Sequence, residues 1–590
     1  MMTALEIRNR ILAAVSRNGG HLASSLGAVE LAMALAQTFD PEKDRIVWDV
    51  GHQAYAWKIL TGRADRFDTL RRLDGISGFP NPAESRADAA VAGHAGVAIS
   101  VAEGMAAART ARGGDEQVVA VVGDASLSNG TSLEALNNCV NADGKIIVIL
   151  NDNEMSISKP TGALSRYLGR LIAGRRYNRV KAAVKAVEKA FGMSFLNKPI
   201  RRIKAFIKRM LIGHAYFEQM GLRYMGPVDG HDVAALTAAL DVAKKDRRSV
   251  LLHVLTVKGR GYAPAVKDPE KWHGVGAFTI AASPDDARAA ASAERKTTWS
   301  DAFGAALTAA AEKDRRIVAL TAAMKDGTGL TEFAARFPRR FKDVGISEGH
   351  MVAYAAGLAA GGMRPVVAVY STFLQRAVDQ IMHDVCIAKL PVVFCVDRAG
   401  VVGADGVTHQ GVFDIALLRA LPNLTICQPK DAADLAALLD EALRRDGPTV
   451  IRYPRGLAGH SPALSTGSPA LSLRGDGQAV LGQMAIWSTG DWYGKACAIA
   501  ARVGGTAVHA RYLKPFDAAL LKRQRAAGMT IVSLENGSVA GGFGEAIGAD
   551  IKFGWPDEFI PHGTQAELER RYGLDVETIT EVLKNGNGTR

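Results

Sequence analysis

At 590 residues, 48% of them hydrophobic and 22% charged, the chain is too long for one core and has an ordinary globular composition, which predicts about three or four domains. The net charge of +12 suits an acidic or phosphorylated partner, but much of the excess lies in one stretch, Arg166 to Arg209, where Glu188 is the only acid. That stretch reads as a solvated face, and with no zinc-finger or aromatic RNA-binding signature the sequence argues against nucleic acid. No run of 18 uninterrupted apolar residues argues for a membrane span. The opening MMTALEIRNRILAAVSRNGGH is broken by charges and does not read as a signal peptide. Cys139, Cys386, Cys395, Cys427 and Cys497 form no CxxC pair, so a reducing compartment, the cytoplasm, is expected.

In chain order, short β-branched runs alternate with longer amphipathic ones. QVVAVVG (117–123), KIIVILND (145–152), PVVAVYS (365–371) and LPVVFCVD (390–397) read as buried strands. Between the last two, Leu374, Val378, Ile381 and Val385 form one apolar stripe at helical spacing. Strands alternating with helices predict α/β domains built on parallel sheets. The pattern occurs in three blocks. Residues 1–285, with a basic insert at about 160–215, end in GYAPAVKDPEKWHGVGAF. After an alanine-rich link, Ala281 to Lys296, the second block occupies 297–456. A linker, HSPALSTGSPALSLRGDG, leads to the third at 475–590, with NGNGTR expected to fray.

The first chemical signal is VVGDASLSNGTSLEALNN followed by IIVILNDNEMSIS. Asp124 and Asn153 fall at the carboxyl ends of sequential strands, where α/β folds bind ligands. An acid and an amide there supply two hard oxygen ligands of the kind Mg²⁺ takes beside phosphate oxygens. Thr131 and Glu134 have capping-box spacing, and the helix they would open offers N–H groups to a diphosphate. Strand-end Asp and Asn also serve as turn and cap residues, and on spacing alone both readings stand.

This arrangement resembles the thiamine-diphosphate motif, in which GDG is followed by an asparagine beyond the next strand. GGHLASSLGAVEL, IVWDVGHQAYAWKILTGR, LNDNEMSISKPTGALSRYL, GPVDGHD, YSTFLQRAVDQIMHDV, DRAGVVGADGVTHQG, RYPRG, VAGGFGEA and PDEFIPHGTQAEL extend the likeness along nearly the whole chain. They resemble the 1-deoxy-D-xylulose-5-phosphate synthase family of transketolase-like thiamine-diphosphate enzymes. The resemblance implies a transketolase-like fold of three domains: diphosphate-binding, pyrimidine-binding and C-terminal. It also implies a homodimer, thiamine diphosphate and Mg²⁺ as cofactors, and small-molecule substrates. The reaction implied is condensation of pyruvate with D-glyceraldehyde 3-phosphate and loss of CO2.

Residue roles follow from the same resemblance. Glu348, expected in a loop after DVGI, matches the acid that bonds the aminopyrimidine nitrogen, and Phe373 the aromatic that stacks on that ring. Asp124, Asn153 and Met155 match the metal ligands. His52, His94, Gly96, Ala125 and Lys258 match positions along the cofactor. His21, His52 and His94, all in glycine-flanked loops, are read as an acid/base and hydrogen-bonding set, joined by His350, His409 and Asp405, with His273 in a further loop. Arg398 and Arg455, each following a strand, match the residues that hold the acceptor's phosphate through forked donors. Tyr370 and Arg376 match further residues of that site.

Four departures stand out. The family's GDG is GDA here, with Ala125. GHSST becomes GHAGV, so Ala95, Gly96 and Val97 replace three hydroxyl side chains. EQH becomes EGH, with Gly349, and the chain starts short of the family's usual N-terminus. These changes keep open a second reading, a divergent paralogue performing ketol or acyl transfer with another 2-oxo acid, aldehyde or sugar phosphate. A nicotinamide oxidoreductase would need a G-x-G-x-x-G turn after the first strand, which is missing. A non-catalytic cofactor-binding protein would have lost Glu348 or a metal ligand.

Overall fold

The computed structural model describes residues 2–139, 143–153, 215–280, 297–459, 471–473 and 484–585. Met155, the basic insert before Ala215, the link Ala281 to Lys296 and, apart from the 471–473 strand, the second linker lie outside these residues, as does NGNGTR beyond Asn585. The chain forms two compact units: Met1–Leu70 with Ile76–Thr279, and Arg71–Gly75 with Ile280–Arg590.

In the first unit, strands β1 (Arg45–Trp48), β2 (Val118–Gly123), β3 (Ile147–Asp152), β4 (Arg223–Asp229) and β5 (Val250–Leu255) form a parallel sheet in the order β1-β2-β3-β5-β4. The central strands are apolar at successive positions because both faces are covered. Alternation sends Val119, Val121, Ile147 and Ile149 into one core with Ile7, Leu31 and Leu236. Val118, Ala120, Val122 and Val148 enter the other, with Ile99 and Leu136. Parallel pairing of β2 with β3 brings their carboxyl ends, Gly123 and Asn151, side by side.

The second unit holds two sheets among the described residues. One contains β6 (Ile317–Thr321), β7 (Phe341–Asp343), β8 (Arg364–Tyr370), β9 (Val393–Asp397), β10 (Thr425–Cys427) and β11 (Thr449–Arg452), all parallel. The other contains β12 (Leu471–Leu473), β13 (Met484–Thr489), β14 (Thr506–Ala510), β16 (Thr530–Ser538) and β17 (Ile551–Trp555). β15 (Tyr512–Lys514), from the third block, joins the second block's sheet antiparallel to β10. Val367 and Phe394 share a core with Trp487, Val508 and Phe543, so the second and third blocks bury apolar surface together.

Two local expectations are corrected. The helix beyond β2, Gly130–Asn138, is capped by Asn129, whose side chain accepts from Thr131 N–H, not by a box between Thr131 and Glu134. An asparagine two residues upstream reaches the free N–H groups first. The stripe Leu374–Val385 is real, with Leu374, Ile381 and Val385 buried. Its path is not a regular helix: it runs as short α, 3₁₀ and π turns from Ser371 to Cys386, broken at Ala377 (φ −122°). Among the described residues no helix is long and apolar enough to cross a membrane.

Candidate functional site

The first unit assembles a polar set at the carboxyl end of its sheet. Asp124 opens a short helix, Asp124–Leu127, directly after β2, and Asn153 follows β3. Asp124 is buried; desolvation, reinforced by the nearby Asp152 charge, raises its carboxyl to about 7. A carboxylate so placed gains from a cation. Lys258, buried beyond β5, is pulled down to about 8 by desolvation, against the attraction of Asp124. Such an ammonium gains in turn from an anion. Asp152 accepts from His253 Nε2 at 2.9 Å, and His253 Nδ1 meets Tyr224 Oη at 2.7 Å, which fixes the end of β3. Ala125 lies inside the short helix, where alanine fits without strain, so the loss of the motif's last glycine costs the turn nothing.

His21, His52 and His273 come together. Their ring centres are separated by 5.9 Å (His21–His52), 5.5 Å (His21–His273) and 5.2 Å (His52–His273). Burial holds His52 and His273 well below the ordinary imidazole range, and neighbouring positive groups, Lys258 among them, add to this. Both are therefore neutral at pH 7, able to accept as well as donate a proton. His94 stands in the 94–97 turn, where Asp49 accepts from Gly96 N–H at 2.9 Å and Ala98 N–H at 3.1 Å. Spacing gave no hint of Asp49, which lies 47 residues away in the sequence.

The second unit carries a second set. Glu348 is not in a loop: it is the first residue of the helix Glu348–Ala360 and only 4% exposed. Burial raises its carboxyl, and Arg376, 3.9 Å away, opposes the rise. A buried acid of this kind can hold or give a proton to a ring nitrogen. Tyr370, Phe373 and His409 form a row, with ring centres 5.9 Å and 5.6 Å apart. Arg398 lays its guanidinium 3.6 Å from the centre of the Tyr370 ring. Burial and the Arg455 charge lower Arg398 to about 9. Two mutually repelling cations beyond the ends of adjacent strands β9 and β11 could be satisfied by a dianion.

Asp405 anchors one of the two: it accepts from Arg455 at 3.4 Å and from Arg71 at 2.6 Å. Arg71 was not legible, because 334 residues separate it from Asp405. Gln410 also went unnoticed. It accepts from Val402 N–H at 2.7 Å and donates to Pro561 O at 3.0 Å, pinning the loop that carries Asp405 and His409. Gly327 is a third such residue, since a Cβ there would collide with the Tyr370 hydroxyl. His350 stands apart from the set: it is exposed, with its ring beside Tyr354. Two residues from Glu348 on one helix, it points to another face.

The first unit's set, a buried acid, an amide and an ammonium, has the donor chemistry that a metal-bound diphosphate takes, and the second unit holds a buried acid beside Arg376. The family model described as 1-deoxy-D-xylulose-5-phosphate synthase matches residues 1–256, and that of the transketolase pyrimidine-binding domain matches 295–460. A protein of Oleidesulfovibrio alaskensis named 1-deoxy-D-xylulose-5-phosphate synthase is 45% identical, over 98% of this chain and 93% of its own length. Proteins of the same name from Desulforudis audaxviator and Clostridium tetani are 45% and 44% identical, over 99% and 98% of this chain and 94% and 95% of their own lengths.

Proposed function

The chain belongs to the 1-deoxy-D-xylulose-5-phosphate synthase family, and from that premise we propose that it condenses pyruvate with D-glyceraldehyde 3-phosphate to 1-deoxy-D-xylulose 5-phosphate and CO2. It is a transketolase-like transferase of isoprenoid precursor, thiamine and pyridoxal biosynthesis. The observation that carries this reading is the identity of about 45% with named synthases along nearly the whole chain.

Bound thiamine diphosphate supplies the electron sink that holds the pair left when pyruvate loses CO2. Asp124 and Asn153, with Met155, hold Mg²⁺, and Lys258 meets the diphosphate. Glu348 keeps a proton at the aminopyrimidine nitrogen, and Phe373 stacks on that ring. His21, His52, His94 and His273 serve the carbonyl oxygens that gain and lose protons, and His409 is assigned a like acid/base role. Arg398, stacked on Tyr370, and Arg455, bonded by Asp405, hold the acceptor's phosphate together with Arg376 and orient its aldehyde. His350, placed apart, is assigned no step.

The domain division 1–285, 297–456 and 475–590 follows the sequence blocks. We further propose a homodimer, as the family resemblance implies, working in the cytoplasm. The five cysteines support a reducing compartment, as all are free and four are buried. The alternative, a paralogue with a different donor or acceptor, is not favoured, since the three relatives above share the synthase name. Incubation with thiamine diphosphate, Mg²⁺, pyruvate and D-glyceraldehyde 3-phosphate, with mass-spectrometric identification of the sugar phosphate, tests the proposal. Release of CO2 without that product overturns the acceptor assignment.

A further inference from the structure

The loop that follows β4, Asp229 to Asp232, closes onto the end of β5 just before Lys258. Gly230 N–H donates to Leu255 O at 2.8 Å, and a Cβ at 230 would collide with that carbonyl. The next residue, His231, has a side chain only 6% exposed and two partners. Val257 N–H meets its Nε2 at 2.8 Å, and its Nδ1 lies 3.1 Å from Glu30 Oε2. A backbone N–H can only donate, so Nε2 carries no proton. Arg8 grips the Glu30 carboxylate through two bonds, of 2.8 Å and 2.6 Å. Burial pushes that carboxyl up, but the bonds from His231 and Arg8 and the Arg8 charge outweigh it and hold it at about 2. Glu30 therefore accepts from Nδ1–H, and the ring is neutral with its tautomer fixed. Arg8 also donates to Arg260 O at 3.0 Å, and Gly259 N–H donates to Ala23 O at 2.7 Å. One chain of bonds thus grips the backbone on both sides of Lys258, at 257 through His231 and at 260 through Arg8. Lys258 is itself buried, attracted by Asp124, and adds to the positive field at His52 and His273.

We propose that His231 is a positioning residue for Lys258: it relays the Arg8–Glu30 pair to Val257 N–H and so sets where the ammonium stands beside Asp124. A long, flexible side chain gains most from an anion when the backbone it starts from is already fixed, because less freedom is lost on binding. The acceptor at Nε2 is the working part of the ring, and the bond at Nδ1 keeps that nitrogen free of a proton. This rests on the reading of Lys258 as the residue that meets the diphosphate.

The test compares two amides at position 231. Asparagine overlays the Nδ1 side of the ring, keeps the bond to Glu30 and does not reach Val257. Glutamine reaches the Nε2 position and still accepts from Val257 N–H. Thiamine-diphosphate affinity is measured by calorimetry with Mg²⁺ for the parent, His231→Asn, His231→Gln, Lys258→Met and the double variant His231→Asn, Lys258→Met, with a thermal melt of each. His231→Asn is expected to bind about tenfold more weakly, and His231→Gln within about threefold of the parent. On the Lys258→Met background His231→Asn is expected to cause no further loss, because its effect passes through the lysine. Parent-like affinity in His231→Asn overturns the proposal, as do equal losses in the two amides or a full additional loss in the double variant. If Lys258→Met binds too weakly to measure, the contrast between the two amides decides alone. Nitrogen NMR of the parent imidazole needs no variant: Nδ1 protonated and Nε2 bare is expected, and the reverse tautomer overturns the relay even if His231→Asn fails to fold. No binding by the unaltered chain, or unchanged affinity in Lys258→Met, removes the reading on which the inference rests; binding with equal losses in the two amides overturns the inference alone.

Discussion

Arg398 stacks its guanidinium 3.6 Å from the centre of the Tyr370 ring, so a cation repelled by Arg455 is held by the face of an aromatic rather than by a carboxylate. Under the proposed assignment its forked N–H donors serve the acceptor's phosphate. Arg398→Lys keeps the charge but loses the fork and the planar stack. It is expected to lower kcat/KM for the phosphorylated aldehyde by about 10- to 100-fold while the KM for pyruvate changes by less than about threefold. Equal losses for both substrates in steady-state kinetics would contradict the assignment.

Gly327 leaves the space into which the Tyr370 hydroxyl projects. Gly327→Ala pushes the ring, and with it Arg398, out of line. We expect about a tenfold rise in KM for the aldehyde with a melting temperature close to that of the parent. An unchanged KM would show that the ring does not set the position of the arginine.

Asp397, at the end of β9, is buried and raised to about 7 by desolvation, despite the hydrogen bond from Ser300 at 2.6 Å. The folded chain therefore binds this proton more tightly than the unfolded chain does. Its contribution to stability is complete below the ordinary carboxyl range near pH 4 and is lost as pH rises through 7. Asp397→Asn removes the titration and can still accept from Ser300. The melting temperature of the variant minus that of the parent is expected to increase by roughly 2 °C between pH 5 and pH 8. A difference that falls over that interval would reverse the sign.

Much of the fold was legible because its constraint is local. β2 and β3 are buried on both faces, so nearly every position must be apolar, and QVVAVVG and KIIVILND announce this. Glu348 was recognised from its motif, but its place at a helix start was not: Ser347 stands at the N-cap position yet makes no side-chain cap bond. The broken path from Ser371 to Cys386 escaped for a different reason. A stripe at four-, three- and four-residue spacing records which side chains are buried, and it is compatible with several hydrogen-bond patterns. Arg71, Asp49 and Gln410 were invisible because each acts through hydrogen bonds to partners that only the fold brings within reach.

The cofactor claim turns on Glu348, buried at the start of its helix with Arg376 3.9 Å away. Glu348→Gln keeps the shape and removes the titrating acid. Turnover is expected to fall by about 10²- to 10⁴-fold, with thiamine-diphosphate affinity and melting temperature close to those of the parent. Turnover within about tenfold of the parent would remove Glu348 from the chemistry.

The central claim is tested most directly by identifying the product formed from pyruvate and D-glyceraldehyde 3-phosphate with thiamine diphosphate and Mg²⁺, alongside Glu348→Ala. The account predicts 1-deoxy-D-xylulose 5-phosphate and one CO2 per product from the parent chain, and neither from the variant. A different sugar phosphate, or the same product in equal yield from Glu348→Ala, would contradict it.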